Sequence, residues 1–350
     1  MDALAPRPPL PINARLIEPL RGAAALGYRS HREWHLVIVR QPGWQSAEDW
    51  DRIASHVRDI DPRIAVFLVR RDVIHSYARR QAAGRPTLVF SPGPLEAFRP
   101  LRGRVYEGRP IAKLEQVERL AAAGVPVPRT AMLTPDLVLD PAVWGEFVIV
   151  KPTDLVRSSH GHGVKLMRTS RVRFKPTSDY PPDHPGHYGP MLVQQFIDTG
   201  DHISHYRALT LFGEPLYIDR DRAIAPRADL AAADEEIERT TIATQGIEKE
   251  KWLVEDPDVI AIARAAHAAI PEVPLKGCDI LREAHTGALY VLEVNAGVCS
   301  SSTPCAQPPA FSSRRPTPRR SSGGRGRAGR IRHSARSWRR SRSRSWPAPG

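Results

Sequence analysis

The stretch ALYVLEVN at residues 288–295 decides the fold of this 350-residue chain, together with LKGCDIL at residues 275–281. Both runs are rich in β-branched and large apolar residues, and turn-forming residues separate them, which predicts a β-hairpin. Side chains two positions apart along a strand face the same way, so Glu293 and Asn295 share one face of this hairpin.

The predicted hairpin also brings a second carboxylate to that face. If it closes symmetrically about Thr286, Asp279 lies opposite Glu293, while Leu292 and Val294 pack on the other face. Two carboxylates paired across a sheet repel each other unless a cation lies between them. Two carboxylates and an amide oxygen are hard donors that suit Mg²⁺. A solvated polar face of a hairpin remains an alternative explanation.

Lysine is scarce in the chain, with seven residues against 44 arginines. A lysine kept in such a sequence indicates a need for a compact point charge. Lys151 follows a predicted buried strand at 147–150 and precedes the loop 153–163, so it is placed to hold a phosphate. Glycines and hydroxyls in that loop allow backbone N–H groups to approach phosphate oxygens. The loop's candidate contacts are Ser158, Ser159, Gly161 and Gly163. A surface lysine at a strand end is the alternative for Lys151.

A further candidate lies at the end of the predicted strand 191–197. Free backbone groups at a strand end can bind an adenine edge, and a following acidic residue can bind ribose hydroxyls. The adenine candidates are Gln194, Gln195, Phe196 and Ile197, and the ribose candidate is Asp201. A core strand followed by a turn would account for the same residues.

Six segments, in their order along residues 105–297, resemble the ATP-grasp superfamily. They are KL at 113–114, GVPVP at 124–128, VIVKP at 148–152, QQFI at 194–197, GCD at 277–279 and LEVN at 292–295. The resemblance implies an α/β chain with the ATP-grasp fold, in which two lobes sandwich ATP behind a small parallel α/β domain. It also implies a ligase that uses ATP with Mg²⁺ or Mn²⁺, similar to D-alanine–D-alanine ligases and glutamate ligases.

The resemblance implies a role for each matching residue. The lysines that hold the nucleotide phosphates would be Lys113 and Lys151, with the loop 153–163 closing over them. The hinge at which adenine lies would be Gln194 to Ile197, with Asp201 on the ribose. The basic residues facing the transferred phosphate would be Arg207 and Arg220. The magnesium ligands would be Asp279, Glu293 and Asn295.

Such an enzyme converts a carboxylate to an acyl phosphate, which an amine then attacks. The expected partners are therefore small-molecule or peptide carboxylates and amines. A kinase-like phosphotransfer or a degenerate ATP-binding protein is the alternative within the superfamily. The lack of a convincing Ser/His/Asp or Cys/His arrangement agrees with a reaction that needs no protein nucleophile.

The chain preceding the resemblance has its own pattern. Predicted strands at 35–40, 64–69 and 87–90 alternate with predicted helices at 46–57 and 72–81, which indicates a small parallel α/β domain. We assign this domain to residues 31–105, after an extended lead-in at 1–30, and the ATP-grasp domain to 106–297.

Residues 298–350 differ in composition from the rest of the chain. Residues 301–350 hold 13 of the 51 basic residues and none of the 38 acidic ones, so the rest of the chain is formally neutral. A segment so rich in Arg, Ser and Pro is expected to be disordered. We interpret it as a frameshift product or a degenerate end. Binding of RNA through this tail is the alternative function of another class.

Composition excludes several further classes. Apolar runs are far shorter than the roughly 20 residues of a membrane span, and the proline-rich N-terminus lacks a signal-peptide core. Three cysteines in a chain of this size fit a reducing compartment. We therefore expect a cytoplasmic protein without a membrane partner.

Overall fold

The computed structural model of the protein describes residues 34–41, 46–72, 87–95, 103–153, 162–244 and 246–296. The predicted lead-in, helix residues 73–81, loop residues 154–161 and the tail lie outside these ranges. No helix in the described ranges is long and apolar enough to cross a membrane.

The N-terminal sheet has four parallel strands in the order β2-β1-β3-β4. They are β1 (Trp34–Arg40), β2 (Ile64–Arg70), β3 (Thr87–Ser91) and β4 (Arg104–Glu107). Helix α1 (Ala47–Ile60) begins at Ser46, whose Oγ accepts a hydrogen bond from the backbone N–H of Glu48 at 3.1 Å. This arrangement confirms the predicted parallel α/β sheet, and β4 extends it two residues beyond the predicted domain end at 105.

The small sheet has four antiparallel strands in the order β5-β8-β6-β7. They are β5 (Thr130–Met132), β6 (Phe147–Pro152), β7 (Lys165–Arg168) and β8 (Met191–Gln195). Helix α2 (Lys113–Ala122) precedes them, and α3 (Pro141–Trp144) leads into β6. Val148 and Val150 pack in one core with Trp144. Alternation along β6 therefore puts Lys151 on the other face.

The large sheet has five antiparallel strands in the order β11-β10-β9-β12-β13. They are β9 (Ser204–Leu211), β10 (Glu214–Ala223), β11 (Lys249–Leu253), β12 (Leu275–Arg282) and β13 (Leu289–Ala296). Helix α4 (Asp234–Arg239) lies between β10 and β11, and α5 (Pro257–Ala269) between β11 and β12. Apolar residues of α2 and α5 pack against one face of this sheet, whose strands contribute Tyr206, Ala208 and Cys278 to the shared core. The opposite face carries the charged residues described below.

A β-bulge corrects one detail of the predicted hairpin. Asp279 pairs with Glu293 as predicted, but Ile280 pairs with Val291, so Leu292 is an extra residue on β13. Val291 and Val294 consequently pack in the same core. The prediction that Leu292 shares the core face with Val294 is wrong, and Leu292 is only half-buried.

Candidate functional site

The predicted carboxylate pair lies on the polar face of the large sheet. The register aligns Glu293, Asp279 and Arg207 across β13, β12 and β9. Arg207 Nε lies 2.9 Å from Asp279 Oδ1, and its Nη2 donates to Oδ2 at 3.2 Å. Asn295 Nδ2 donates to Asp279 Oδ2 at 3.0 Å and to Glu293 Oε1 at 3.3 Å. The three predicted metal ligands thus contact one another directly.

The two carboxyl groups differ in pKa because different charges surround them. Burial raises the pKa of Asp279 to about 7, with Arg207 lowering it and Glu293 raising it. Burial also acts to raise the pKa of Glu293, but the charges of Lys151 and Lys113 outweigh it, and the net shift is downward. Glu293 is therefore ionised at neutral pH, while Asp279 binds a proton readily.

The donor chemistry of this group fits a divalent metal ion. The buried carboxylate of Asp279, the half-buried carboxylate of Glu293 and the amide of Asn295 offer oxygen donors of the kind Mg²⁺ takes. A divalent cation would also stabilise the ionised form of Asp279. The described ranges contain no cluster of three or more His, Cys, Asp or Glu residues suited to a metal.

Two predicted phosphate-binding lysines lie beside this group. Lys151 is 7% exposed, and its Nζ donates to Gln194 Oε1 at 2.8 Å. Burial lowers the pKa of Lys151 to about 8, with Glu293 raising it and Lys113 lowering it. Lys113, the first residue of α2, donates from Nζ to the carbonyl of Pro152 at 3.1 Å. The fold thus brings two cations from the small-sheet side to the carboxylates of the large sheet.

The predicted adenine hinge is largely occupied by protein hydrogen bonds. Gln194 is fully buried, and its Nε2 donates to Thr130 Oγ1 at 2.8 Å. The backbone N–H of Gln195 donates to Arg129, and that of Phe196 donates to Phe147. The N–H groups of Gln195 and Phe196 are therefore not among the free backbone groups expected at this strand end, and the adenine role of these residues stays a prediction. The role of buried Ile197 stays a prediction.

The predicted ribose contact is exposed. Asp201 lies just before β9, and its backbone carbonyl accepts from the N–H of Arg227 at 2.8 Å. The neighbouring Asp198 accepts from Arg227 Nη2 with both carboxylate oxygens, at 3.1 and 3.2 Å. Because Asp198 is already paired in this way, Asp201 remains the better candidate for a ribose.

Arg220 does not join the site. It pairs with Tyr206 across β9 and β10, and therefore lies on the sheet face opposite that of Arg207. Its Nε donates to Ser204 Oγ at 3.0 Å, and its guanidinium stacks on Tyr206 and Trp252. The prediction that Arg220 faces the transferred phosphate is wrong.

One end of the candidate phosphate loop is described. Gly163 has a φ of +75°, and a Cβ there would approach the ring of Pro185 to 3.2 Å. Both the positive φ and the close approach of Pro185 favour glycine at this position. The other candidate contacts in the loop, Ser158, Ser159 and Gly161, lie outside the described residues.

A group of charged residues that the sequence analysis missed continues the same face beyond Arg207. Asp219 pairs with Arg207 across β9 and β10, and Asp221 pairs with Lys251 across β10 and β11. Lys249 Nζ donates to Asp221 Oδ2 at 2.6 Å. Acids at alternate positions of β10 and lysines at alternate positions of β11 were the available signal.

His205 completes this group. It pairs with Asp221 across the sheet, and its Nδ1 lies 3.2 Å from Thr244 Oγ1. Burial lowers the pKa of His205 to about 4, with Asp221 acting in the opposite direction. The imidazole is therefore neutral at physiological pH.

Solved structures with a partly similar architecture include one synthetase and two ligases. D-cycloserine synthetase DcsG matches at 16% identity and a TM-score of 0.45, covering 77% of this chain and 92% of its own. The ATP-grasp ligase PsnB, complexed with a minimal precursor, Mg and ADP, matches at 14% and 0.46, with 78% and 93% covered. D-alanine–D-alanine ligase from Bacillus anthracis, complexed with ATP, matches at 14% and 0.43, with 76% and 86% covered.

No protein-family model matches the chain, and no curated protein does. Since the identities are low and the TM-scores are below 0.5, we base the function on the side chains of the site.

Proposed function

We propose that this protein is an ATP- and Mg²⁺-dependent ligase that activates a carboxylate as an acyl phosphate and joins it to an amine. The observation that carries the proposal is the proximity of two lysines, from β6 and α2, to the carboxylate pair of Glu293 and Asp279. Lys151 and Lys113 act electrostatically on Glu293, and Glu293 lies beside Asp279 and Arg207.

These charges suit the first half of the reaction. A carboxylate oxygen attacks the γ-phosphorus of ATP, the bond to the β-γ bridging oxygen breaks, and ADP leaves. Negative charge must be neutralised around the phosphates during this transfer. Lys113 and Lys151 would hold the nucleotide phosphates, and Arg207 would contact the transferred group. Bound by Asp279, Glu293 and Asn295, Mg²⁺ would supply further positive charge at the phosphates.

The second half of the reaction needs protection from water more than it needs a protein nucleophile. The amine nitrogen attacks the acyl carbon, phosphate leaves, and the nitrogen loses a proton. Water would destroy the acyl phosphate if it reached the site. We assign exclusion of water to the loop 153–163, and adenine and ribose contacts to Ile197 and Asp201. Gln194 would position Lys151 through their 2.8 Å hydrogen bond.

A thermal-shift titration with MgATP tests the nucleotide site. At about 100 times Kd, binding should stabilise the wild type by about 2.7 kcal/mol. Lys151→Met should lose the shift, whereas Lys175→Met, at an exposed lysine stacked on Tyr180, should retain it. If Lys151→Met kept the MgATP shift as Lys175→Met does, the assignment of Lys151 to the nucleotide site would be contradicted.

A hydroxylamine trap tests the reaction class. Hydroxylamine attacks an acyl phosphate to give a hydroxamate and phosphate, so no knowledge of the natural amine is required. ATP- and Mg²⁺-dependent hydroxamate formation with a carboxylate would support the ligase. ADP formation without hydroxamate would favour the kinase-like alternative.

A further inference from the structure

Lys249 and Lys251, called the lysine pair below, form ion pairs with two buried aspartates while their own side chains are partly exposed. Lys251 Nζ lies 3.0 Å from Asp219 Oδ1 and 3.1 Å from Asp221 Oδ1. The aspartate side chains are only 9% and 5% exposed, whereas that of Lys251 is 47% exposed. The buried carboxylates therefore hold the ammonium group from below and leave it accessible to a ligand.

The lysine pair shares the polar face of the large sheet with Arg207, at the end remote from Glu293. The polar face runs from Glu293 on β13, through Arg207 on β9, to Lys251 on β11. Strands are about 4.8 Å apart, so β11 is roughly 14 Å from β12. Lys113 and Lys151 act on Glu293 at the far edge of the sheet. The lysine pair is thus too distant to share the same phosphates.

The charge of this region favours an anion. Arg207 and the lysine pair contribute three cations, which the carboxylates of Asp279, Asp219 and Asp221 balance. The lysine side chains are the exposed partners of their ion pairs, so the charge they present to a ligand is positive. Those carboxylates are buried and already contact ammonium groups, so a cationic ligand would find no accessible partner. An ammonium group in a partly desolvated setting binds a carboxylate or phosphate through a charge-assisted hydrogen bond.

We propose that the carboxylate substrate of this enzyme carries a second anionic group, which binds Lys251 with the support of Lys249. This inference rests on the proposed ligase function and names its substrate class. The reacting carboxylate lies near Arg207, and the second anion lies roughly 10 Å away, two strand spacings along the sheet. Diacids and acidic amino acids or peptides fit this description.

The test compares diacids with their half-amides in the hydroxylamine assay. The pairs are adipate with adipamate, suberate with suberamate, and L-glutamate with L-glutamine, each with MgATP. A half-amide keeps the length and one carboxylate but removes the second charge. We expect kcat/KM for at least one diacid to exceed that of its half-amide by about tenfold or more, the value of one charge-assisted hydrogen bond.

Four variants separate recognition of the anion from stability of the fold. Lys251→Met should abolish most of the diacid preference, and Lys251→Arg should retain it. The double variant Lys251→Met/Asp219→Asn removes the ion pair without leaving an unpaired buried carboxylate, and it too should lose the preference. Arg264→Met removes an exposed cation from α5, on the other side of the large sheet, and should leave the preference unchanged.

The outcomes distinguish this inference from the function on which it rests. A diacid preference that disappears in both Lys251→Met proteins, with the MgATP thermal shift retained, supports it. Equal use of diacids and half-amides by the wild type, or a preference that survives both substitutions, overturns it while the ligase stands. A wild type that shows neither a MgATP shift nor hydroxamate with any acid overturns both proposals.

Discussion

Substitution of Lys276 tests how the large sheet holds α5 in place. Lys276 lies on β12, is fully buried, and donates from Nζ to the carbonyls of His267 and Ile270 at the C-terminal end of α5. Positive charge at a helix C-terminus is favourable, but burial of an ammonium group is costly. Lys276→Met keeps the apolar stem and removes both hydrogen bonds.

The pKa of Lys276 gives the size of the expected effect. Burial lowers it from 10.5 to about 8. The unfolded chain therefore binds more protons than the folded protein between pH 8 and 10.5, so the contribution of Lys276 to stability rises with pH in that window. A shift of about 2.5 units corresponds to about 3 kcal/mol. At pH 7 the desolvation cost offsets much of the stabilisation from the two hydrogen bonds of Lys276. We therefore expect Lys276→Met to lower the unfolding free energy by at most about 2 kcal/mol at this pH.

Urea unfolding of wild type and Lys276→Met, at intervals from pH 7 to 10.5, measures this directly. The difference in unfolding free energy should grow by about 3 kcal/mol across the upper part of the range. Lys175→Met, at an exposed lysine, should show no such growth. Groups common to both proteins, such as the Cys278 thiol, largely cancel in the difference. Two parallel curves between pH 8 and 10.5 would refute this account of Lys276.

Three further predictions concern pH, capping and the metal site. Burial lowers the pKa of His267 from 6.5 to about 4, so the unfolding free energy should fall by up to about 3 kcal/mol as pH falls from 6.5 to 4. Urea unfolding of His267→Gln should show a smaller fall over this range, and a fall equal to that of the wild type would contradict this prediction. Asp256 accepts from the backbone N–H groups of Asp258 and Val259 at the start of α5, so Asp256→Ala should lower the unfolding free energy in urea by about 1 kcal/mol or more, while Asp256→Asn should retain most of the cap. Asp279→Asn should raise the Mg²⁺ concentration that gives half of the ATP-induced thermal shift by about tenfold or more. An unchanged Mg²⁺ titration would exclude Asp279 as a ligand.

Much of the fold and part of the candidate site could be predicted from strand patterns. A turn centred on Thr286 predicted the pairing of Asp279 with Glu293, and the pairing holds because the extra residue Leu292 shifts the register just before Glu293. Lys151 could be picked out as a candidate site residue because a lysine at the end of a buried strand is rare in this chain. The parallel N-terminal sheet followed from its alternating strands and helices.

Both corrected residues of the large sheet, Leu292 and Arg220, lie at or after a β-bulge, one in β13 and one in β10. In the β9–β10 hairpin, Phe212 and Gly213 form the two-residue turn, with φ of 50° and 93°. Without a further irregularity, this turn would pair Arg220 with His205 and put it on the face of Arg207. The register instead shifts between Pro215 and Tyr217. A shift of one residue moves every later side chain to the other face.

That shift also explains why the charged face extends to the lysine pair. In the unshifted register, Asp219 and Asp221 would point into the apolar core formed with α5, and Ile218 would face the site. Burial of two unpaired carboxylates among apolar residues costs several kcal/mol, far more than a bulge. The shift puts Ile218 in the core and both aspartates beneath Lys249 and Lys251. The chemistry of β10 therefore selects its register, and the register in turn builds the anion-binding end of the proposed site.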